Sequence, residues 1–444
     1  MNRINKKNGI KRMIAIQRVS VFCIIAISCI YSTYLQAQNT TQSPYSRYGY
    51  GLLANGDLGA QRGMGGIGFG LRNSHIINPL NPASYSGVDS MTFMIDLGLT
   101  GQMAWYRDGF NNSKSRKING NLDYVAIQIP LYRGLGMGIG FEPVSSVGFS
   151  YGDTTNLSNT GGYAQNTSVG SNGLNKGYAT LSYKLFQNLS AGVNLSFLFG
   201  DVIHSNQATN IGYSVLNIDT LRSTGLTYEF GLQYSIPVAK NKKMVIGAIY
   251  SPKIKLNATY HNSEIRVDPN TGVIQSINPT STKDLIFELP ETYGLGFTYS
   301  NNPGGFRSFN IKNKFTVGAD AQYQRWAAAK FFSKTDSLSN RLKINMGGEF
   351  VPDDQSRSFF KRNRYRVGAY YSNSYIKIGD KGYNEYGASL GVGIPMNDRR
   401  SFLNLAFSYS TVVPEKATFI HEKYFKITVS YTFNEAWFFK RKVQ

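Results

Sequence analysis

The residues best suited to catalysis are few in this chain and far apart. There are four histidines, His75, His204, His261 and His421, and none lies at a metal-ligand spacing such as H-x-x-x-H. A serine hydrolase needs a histidine beside a serine and an orienting acid. The three later histidines fall at separate strand ends. Histidines scattered in this way are more often ordinary loop residues than parts of one catalytic site. The sequence therefore predicts no enzyme, no metal site and no cofactor.

The overall composition favours a membrane-embedded sheet protein. Aromatic residues make up 14% of the chain, with 30 tyrosines and 27 phenylalanines, and the formal net charge is +21. A basic balance suits anionic lipid headgroups, and no helical basic stripe points to nucleic acid. Outside the N-terminus no apolar run reaches about 18 residues, which argues against membrane-spanning helices.

Residues 1–37 are predicted to be a cleaved signal peptide. Basic residues without any acid precede an apolar stretch over 19–35, and Ala37 offers a cleavage site. Both cysteines, Cys23 and Cys29, lie inside it, so the mature chain is expected to contain no thiol. A lipoprotein signal at Cys29 is disfavoured because the residues after it remain apolar.

The segment 64–87 organises the prediction for the rest of the chain. It is rich in Gly, Asn, Pro and Ser and shows no helical or strand period, yet it carries many apolar residues. Its backbone donors and acceptors need an enclosure that satisfies them. We therefore predict an N-terminal plug over 38–90. A disordered extension, the alternative, would carry more charge and fewer apolar residues.

Residues 91–433 are predicted to form this enclosure from strands in which apolar and polar residues alternate. The pattern is apolar on one face and polar on the other over segments of about ten residues, as in transmembrane barrels. The predicted fold is all-β, a transmembrane antiparallel β-barrel of about 14 strands with an N-terminal plug (hatch) segment in the lumen. A soluble two-sheet protein would leave open edges. The predicted strands are 92–107, 121–132, 134–148, 175–187, 188–203, 226–239, 244–260, 284–299, 314–326, 341–351, 365–375, 383–394, 402–411 and 424–433.

Connection lengths predict the orientation in the membrane. The links 108–120, 149–174, 204–225 and 261–283 are long and polar, whereas the links after the second, fourth and sixth strands are tight turns. Outer-membrane barrels place long loops outside and short turns in the periplasm. We therefore expect the tight turns to face the periplasm.

The third predicted strand carries two unusual features. Gly136, Gly138 and Gly140 fall on one face, which predicts close approach by the plug. Glu142 and Pro143 then interrupt the ladder, because proline cannot donate a hydrogen bond. Pro143 marks either a kink in the wall or simply the outer rim of the barrel.

The end of the chain carries aromatic signals. Tyr431 and Phe433 occupy the last outward positions, as in the signal read by the outer-membrane insertion machinery. The tail 434–444 then combines Trp437 with a basic run at 440–442. We predict that this periplasmic tail anchors at lipid headgroups, and docking on another envelope protein is the alternative.

Two short motifs carry a family resemblance. Arg62-Gly63-Met64-Gly65-Gly66 and then Asn81-Pro82-Ala83 follow a signal peptide and precede about 14 strands. In this arrangement the mature chain resembles the FadL-type outer-membrane transporters of hydrophobic compounds. The resemblance implies a hatch around Asn81-Pro82-Ala83 and a lateral path at a kink in the third strand. Ser84-Tyr85-Ser86-Gly87 departs from the family pattern, so an apolar binding pocket is not carried over residue by residue.

Two functions follow for an outer-membrane protein of this kind. The first is passive uptake of hydrophobic small molecules through a plugged barrel with lateral release. The second is a non-transporting accessory or structural subunit of an outer-membrane assembly or export complex. Expected partners are outer-membrane lipids and lipopolysaccharide, the insertion machinery and possible envelope proteins at the tail. An apolar cavity between plug and wall would favour uptake, and a lumen filled by charged pairs would favour the accessory role.

Overall fold

The computed structural model describes residues 43–89, 92–157, 162–209, 214–239, 241–268, 271–282, 285–301 and 312–436. Short helices are α1 (Gly59–Arg62), α2 (Phe359–Arg362) and 3₁₀ turns at Pro44–Arg47, Pro82–Gly87 and Trp326–Ala328. The strands are β1 (Leu52–Leu53), β2 (Thr92–Arg107), β3 (Lys114–Tyr132), β4 (Leu135–Pro143), β5 (Ser145–Ser146), β6 (Phe149–Leu157), β7 (Gly162–Lys184), β8 (Leu189–Thr209), β9 (Ser214–Ala239), β10 (Lys242–Ser251), β11 (Ile254–Val267), β12 (Ile274–Thr282), β13 (Phe287–Leu289), β14 (Thr292–Ser300), β15 (Lys314–Gln324), β16 (Arg341–Val351), β17 (Arg364–Asn373), β18 (Tyr383–Pro395), β19 (Phe402–Pro414) and β20 (His421–Ala436). Among the described residues, no helix is long and apolar enough to cross a membrane.

The strands close into an antiparallel barrel of 14 wall strands. Closure comes from pairing of the first wall strand with the last, β2 with β20, in register from Thr92 opposite Ala436 to Arg107 opposite His421. The predicted all-β class, an antiparallel barrel of about 14 strands, is therefore confirmed. Pairing of the first and last wall strands closes the sheet into a barrel, the form in which a sheet can span a membrane.

Alternation along the strands explains which way each side chain points. On β8 the side chains of Val193, Leu195 and Phe197 are exposed on the outer face, whereas Asn194 and Ser196 are buried inside. An apolar outer face removes the cost of placing polar groups in hydrocarbon. The same inside-out pattern marks the barrel as a membrane protein rather than a soluble sandwich.

Three wall strands are interrupted, each next to a proline. The third wall strand consists of β4 and β6, the seventh of β10 and β11, and the eighth of β12, β13 and β14. Pro143, Pro252 and Pro290 lie at the end of β4, between β10 and β11, and between β13 and β14. The prediction of continuous strands over 134–148, 244–260 and 284–299 is wrong because proline lacks the ladder donor.

Several predicted loops are strands. Most of 149–174 belongs to β6 and β7, which pair from Phe149 opposite Gly170 onward. Similarly, β8 and β9 remain paired as far as Thr209 opposite Ser214. These extensions have no continuous apolar face, so they lack the alternation by which the membrane-spanning parts were recognised.

Chain contacts separate Met1–Gln38 from Asn39–Gln444. All described residues belong to the second unit. The predicted signal peptide, Asn210 in the predicted loop 204–225, and the tail from Trp437 onward lie outside the described residues. Their roles stay predictions.

Candidate functional site: the luminal segment and its contacts with the wall

The luminal segment, defined here as residues 43–89, lies inside the barrel and is largely buried. Near its start Tyr50 packs edge-on against Phe331, with ring centroids 5.0 Å apart, and also contacts Trp326. The Tyr375 hydroxyl donates a hydrogen bond to the backbone oxygen of Gly51. This aromatic cluster fills the lumen at the end of the barrel where β2 meets β3, called the long-connection end.

Arg62, the first residue of the glycine motif, ties the luminal segment to three wall strands. Its guanidinium forms an ion pair with Asp123 and donates to Thr100 Oγ1 at 2.8 Å and Thr428 Oγ1 at 3.2 Å. Burial alone would lower the pKa of Arg62, but the carboxylates of Asp123 and Asp57 outweigh burial and raise it. Arg62 is therefore a permanent cation with a matched counter-charge.

Gly65 and Gly66 allow the segment to turn against the wall. Both have positive φ, +68° and +80°, which favours glycine. A side chain on the wall glycines Gly347 or Gly368 would clash with the backbone at Met64 and Gly65. Sequence reasoning missed these wall glycines, although inward glycines in a strand pattern were the available signal.

Asp320 accepts hydrogen bonds from two backbone amides of the luminal segment. The donors are Gly68 and Phe69, the second at 2.9 Å. Asn345, on the adjacent strand, donates to the Gly66 carbonyl oxygen at 3.1 Å. An irregular backbone buried in the lumen is thus satisfied by wall side chains, as the need to pair buried peptide groups requires.

The Asn81-Pro82-Ala83 motif begins a 3₁₀ turn. The Asn81 side chain caps the turn by accepting from the Ala83 amide at 3.0 Å. Its amide group donates to the Phe69 carbonyl at 2.8 Å and to that of Leu232 at 3.1 Å. The motif therefore joins two parts of the luminal segment to β9. Asn81 therefore has a structural role that uses both the oxygen and the nitrogen of its side-chain amide.

Strand β4 meets the luminal segment through two of its three glycines. A side chain at Gly136 would clash with the Tyr85 backbone, and one at Gly138 with the Tyr85 ring. Gly140 instead lies against Tyr178 of β7. The prediction that Gly140 faces the plug is therefore wrong, because the neighbouring tyrosine covers that position.

The wall is incomplete beyond Glu142 and Pro143. Glu142 is buried and pairs with Lys176 at 2.9 Å, and β4 ends at Pro143. Within the described residues, β3 pairs with β4 only from Val125 to Tyr132, and no ladder joins β3 to β6. A gap in the ladder therefore separates the outer half of β3 from β6.

The N-terminal end of the luminal segment lies against the inner side of this break. Strand β1 pairs with β5, placing Leu53 opposite Ser145, and the Ala54 amide donates to the Val144 carbonyl at 2.9 Å. The Ser43 amide donates to the Gly148 carbonyl at 2.6 Å. Several backbone groups of residues 144–148, beside the break, are thus satisfied by the chain's own N-terminal residues.

Charged groups also cluster on the barrel's inner wall. Glu349 accepts from Arg366 at 2.8 Å and pairs with Arg364 at 3.3 Å. Arg366 reaches across to Asn404 at 2.8 Å. Buried charges of this kind persist only when paired and hydrogen-bonded.

The residues considered for catalysis and insertion stay apart. His75 lies in the luminal segment, His204 on β8 and His421 at the start of β20. No group of three or more His, Cys, Asp or Glu side chains able to hold a metal occurs among the described residues. Tyr431 is exposed on the outer face of β20 and Phe433 is half-buried two residues further along.

Several solved structures share this architecture. A FadL homologue of Pseudomonas aeruginosa matches with a TM-score of 0.57 at 14% identity, covering 86% of this chain and 99% of its own. The Pseudomonas putida toluene transporter TodX matches with a TM-score of 0.55 at 14% identity, covering 87% and 99%. The CymD monoaromatic hydrocarbon channel gives 0.52 at 14% identity, covering 85% and 97%. At this identity the likeness defines the fold alone, so the chain is a β-barrel of the FadL-like fold.

A family model assigns the chain more narrowly. The BamG model matches residues 16–444, nearly the full length. The chain belongs to the BamG family. No curated protein matches it significantly.

Proposed function

We propose that this protein is a non-transporting accessory subunit of an outer-membrane protein assembly or export complex. The observation that carries the proposal is the way the luminal segment is fixed. Side chains from opposite sides of the barrel hold its backbone: Tyr124 on β3, Asp320 on β15 and Ser389 on β18. A hatch that opens for a solute would have to release all of them.

Release of the segment would be energetically demanding. Each hydrogen bond contributes about 0.5–1.5 kcal/mol, and a buried donor left unpaired costs about 1–3 kcal/mol. Breaking the contacts of Arg62, Gly68 and Asn81 together therefore exceeds what a weakly interacting apolar solute supplies by binding. The chain's own N-terminal residues also hydrogen-bond to residues 144–148 beside the break in the wall. A luminal segment that is held in place fits a rigid scaffold better than a channel that opens and closes.

The family assignment supports the same proposal. Membership of the BamG family supports a role beside the machinery that assembles outer-membrane barrels. The fold then serves as a membrane-embedded platform, and the two ends of the barrel are the surfaces that partners reach.

Depletion of the protein in its native cell tests this role. We expect other outer-membrane β-barrels to lose abundance and heat-modifiable folding, which reports their assembly. A variant with Leu53→Cys and Ser145→Cys, oxidised to lock β1 onto β5, should restore assembly as well as the wild type. Normal assembly in depleted cells would contradict the accessory role.

Uptake of hydrophobic compounds is the second candidate. It is favoured by the ladder gap between β3 and β6 beside Pro143. Replacing Pro143 with Val returns a ladder donor worth about 0.5–1.5 kcal/mol and should narrow such a gap without loss of folding. Uptake of a labelled hydrocarbon by cells with wild-type protein, with Pro143→Val and with none decides this candidate. Equal uptake by the three kinds of cells excludes the uptake function. Uptake that requires the protein and falls in the Pro143→Val variant supports it.

A further inference from the structure

A cavity of about 640 Å³ opens at the opposite end of the barrel, called the short-turn end. The luminal segment contributes Arg72, His75 and Ser86 to its lining. The wall contributes the turn at Arg133, the turn at 184–187, and strands from β10 to β17. Because the lining comes from several sides of the barrel, the cavity lies in the mouth and not on the lipid-facing surface.

The lining carries an excess of positive charge. Six cationic side chains face two carboxylates, Asp89 and Asp354. Lys314 pairs with Asp354, and Arg364 pairs with Glu349 behind the lining. The other four cations have no carboxylate partner among the described residues, and they are Arg72, Arg133, Lys184 and Lys243.

Two of these four cations are half-buried and bound only to neutral acceptors. The Arg72 guanidinium donates to the Ala83 carbonyl at 3.2 Å and to Ser86 Oγ at 3.0 Å. The Lys243 ammonium donates to the Arg72 carbonyl at 3.4 Å. Burial lowers the pKa of Arg72 to about 10, which leaves it charged at neutral pH. Half-buried cations that converge without a counter-charge attract an anion.

His75 gives an independent indication of a missing partner. Its Nδ1 atom is buried and has no hydrogen-bond partner among the described residues. Burial and then the Arg364 cation lower the pKa of His75 to about 3, so the ring is neutral and can accept or donate one hydrogen bond. A polar ligand entering the cavity would satisfy it.

We propose that this cavity binds the carboxylate side chains of an acidic segment in a periplasmic partner protein. The inference rests on the proposed accessory function and on the orientation that places the short turns in the periplasm. Arginine and lysine side chains converging on one pocket recognise carboxylates by charge-assisted hydrogen bonds. A lipid headgroup fits less well, because the wall would hold its acyl chains away from the hydrocarbon.

Binding of a labelled glutamate peptide to the purified full-length protein tests the cavity directly. The probe is a rhodamine-labelled pentaglutamate, followed by fluorescence anisotropy at low ionic strength, with pentaglutamine as the neutral peptide. Two double variants remove charge, Arg133→Gln with Lys184→Gln on the exposed rim and Arg72→Gln with Lys243→Gln inside. Each should weaken binding by about tenfold or more. Arg133 lies in a turn and Lys184 is the last residue of β7; both are exposed, so the rim variant should fold as the wild type does.

The control double variant removes two cations from the same end outside the cavity, Lys361→Gln with Arg399→Gln. It should bind pentaglutamate as the wild type does, and an equal loss in control and cavity variants would overturn the site. Inorganic phosphate and phosphatidylglycerol vesicles are tested in parallel. Cavity-dependent binding of either one without binding of pentaglutamate would overturn the acidic-segment partner.

The cavity inference and the proposed function fail separately. If pentaglutamate does not bind while assembly proteins still co-purify with the wild type, the cavity inference alone is wrong. If pentaglutamate binds through the cavity while depletion leaves outer-membrane assembly intact, the accessory function is wrong and the partner with it.

Discussion

Glycines that point into the lumen determine how closely the luminal segment can approach the wall. Gly138 on β4 accommodates the ring of Tyr85, and Gly231 on β9 accommodates Asn81. Gly247 on β10 lies against the Phe69 carbonyl. Because these contacts involve backbone, a buried ring or the buried Asn81 amide, the luminal segment has no room to move aside for an added side chain.

Replacement of Gly138 with Val should therefore displace Tyr85. We expect a loss of about 1–3 kcal/mol in the free energy of unfolding, the usual cost of overpacking, and faster proteolysis within 64–87. Gly177→Val is the matched control, since a side chain there meets no atom within 4 Å. Equal protease resistance of the two variants would show that Tyr85 does not pack on β4.

Asp320 should be needed to hold the luminal segment. The change Asp320→Ala leaves the amides of Gly68 and Phe69 without acceptors at a buried site, at a cost of about 1–3 kcal/mol. Thermal unfolding followed by heat-modifiability on gels measures the loss. Asp201→Ala, which removes a carboxylate from a pair with the exposed Arg222, should change the midpoint little. A midpoint for Asp320→Ala equal to that of Asp201→Ala would contradict the anchoring role.

At the scale of elements, the sequence predicted membrane-spanning strands well and polar extensions poorly. The strands Thr92–Arg107 and Arg341–Val351 have the predicted bounds, because one apolar face marks where a strand lies in lipid. The extension of β9 back to Ser214 has no such face. The contacts of Asn81 with Leu232 and of Asp320 with Gly68 join residues distant in sequence, which no local pattern specifies.

Pairing of β1 with β5 gives an element-scale prediction. In the otherwise cysteine-free mature chain, Leu53→Cys with Ser145→Cys should oxidise to a disulfide, since the two residues are direct cross-strand partners. Non-reducing gels after mild oxidation detect the cross-link as a mobility shift. Leu53→Cys with Ser150→Cys is the mismatched control and should remain reduced. Efficient cross-linking of the mismatched pair alone would contradict the observed register.

At the scale of the whole molecule, the orientation can be measured by labelling. Single cysteines at Asn112 and Asn166, towards the long-connection end, should react with an impermeant maleimide on intact cells. Cysteines at Arg133 and Asn188, in the short turns, should react only after the outer membrane is permeabilised. The reverse pattern would place the basic cavity outside the cell and remove the periplasmic partner.

The accessory role requires partner proteins bound to the barrel in the membrane, whereas uptake requires a solute in the lumen. The most direct measurement is purification of the tagged protein from native membranes in mild detergent, with quantitative mass spectrometry of co-eluting proteins and of extracted small molecules. The account predicts outer-membrane assembly or export proteins in near-stoichiometric amounts and no enrichment of hydrophobic compounds over a barrel purified in the same way. A protein that elutes alone with a hydrophobic compound bound would contradict it.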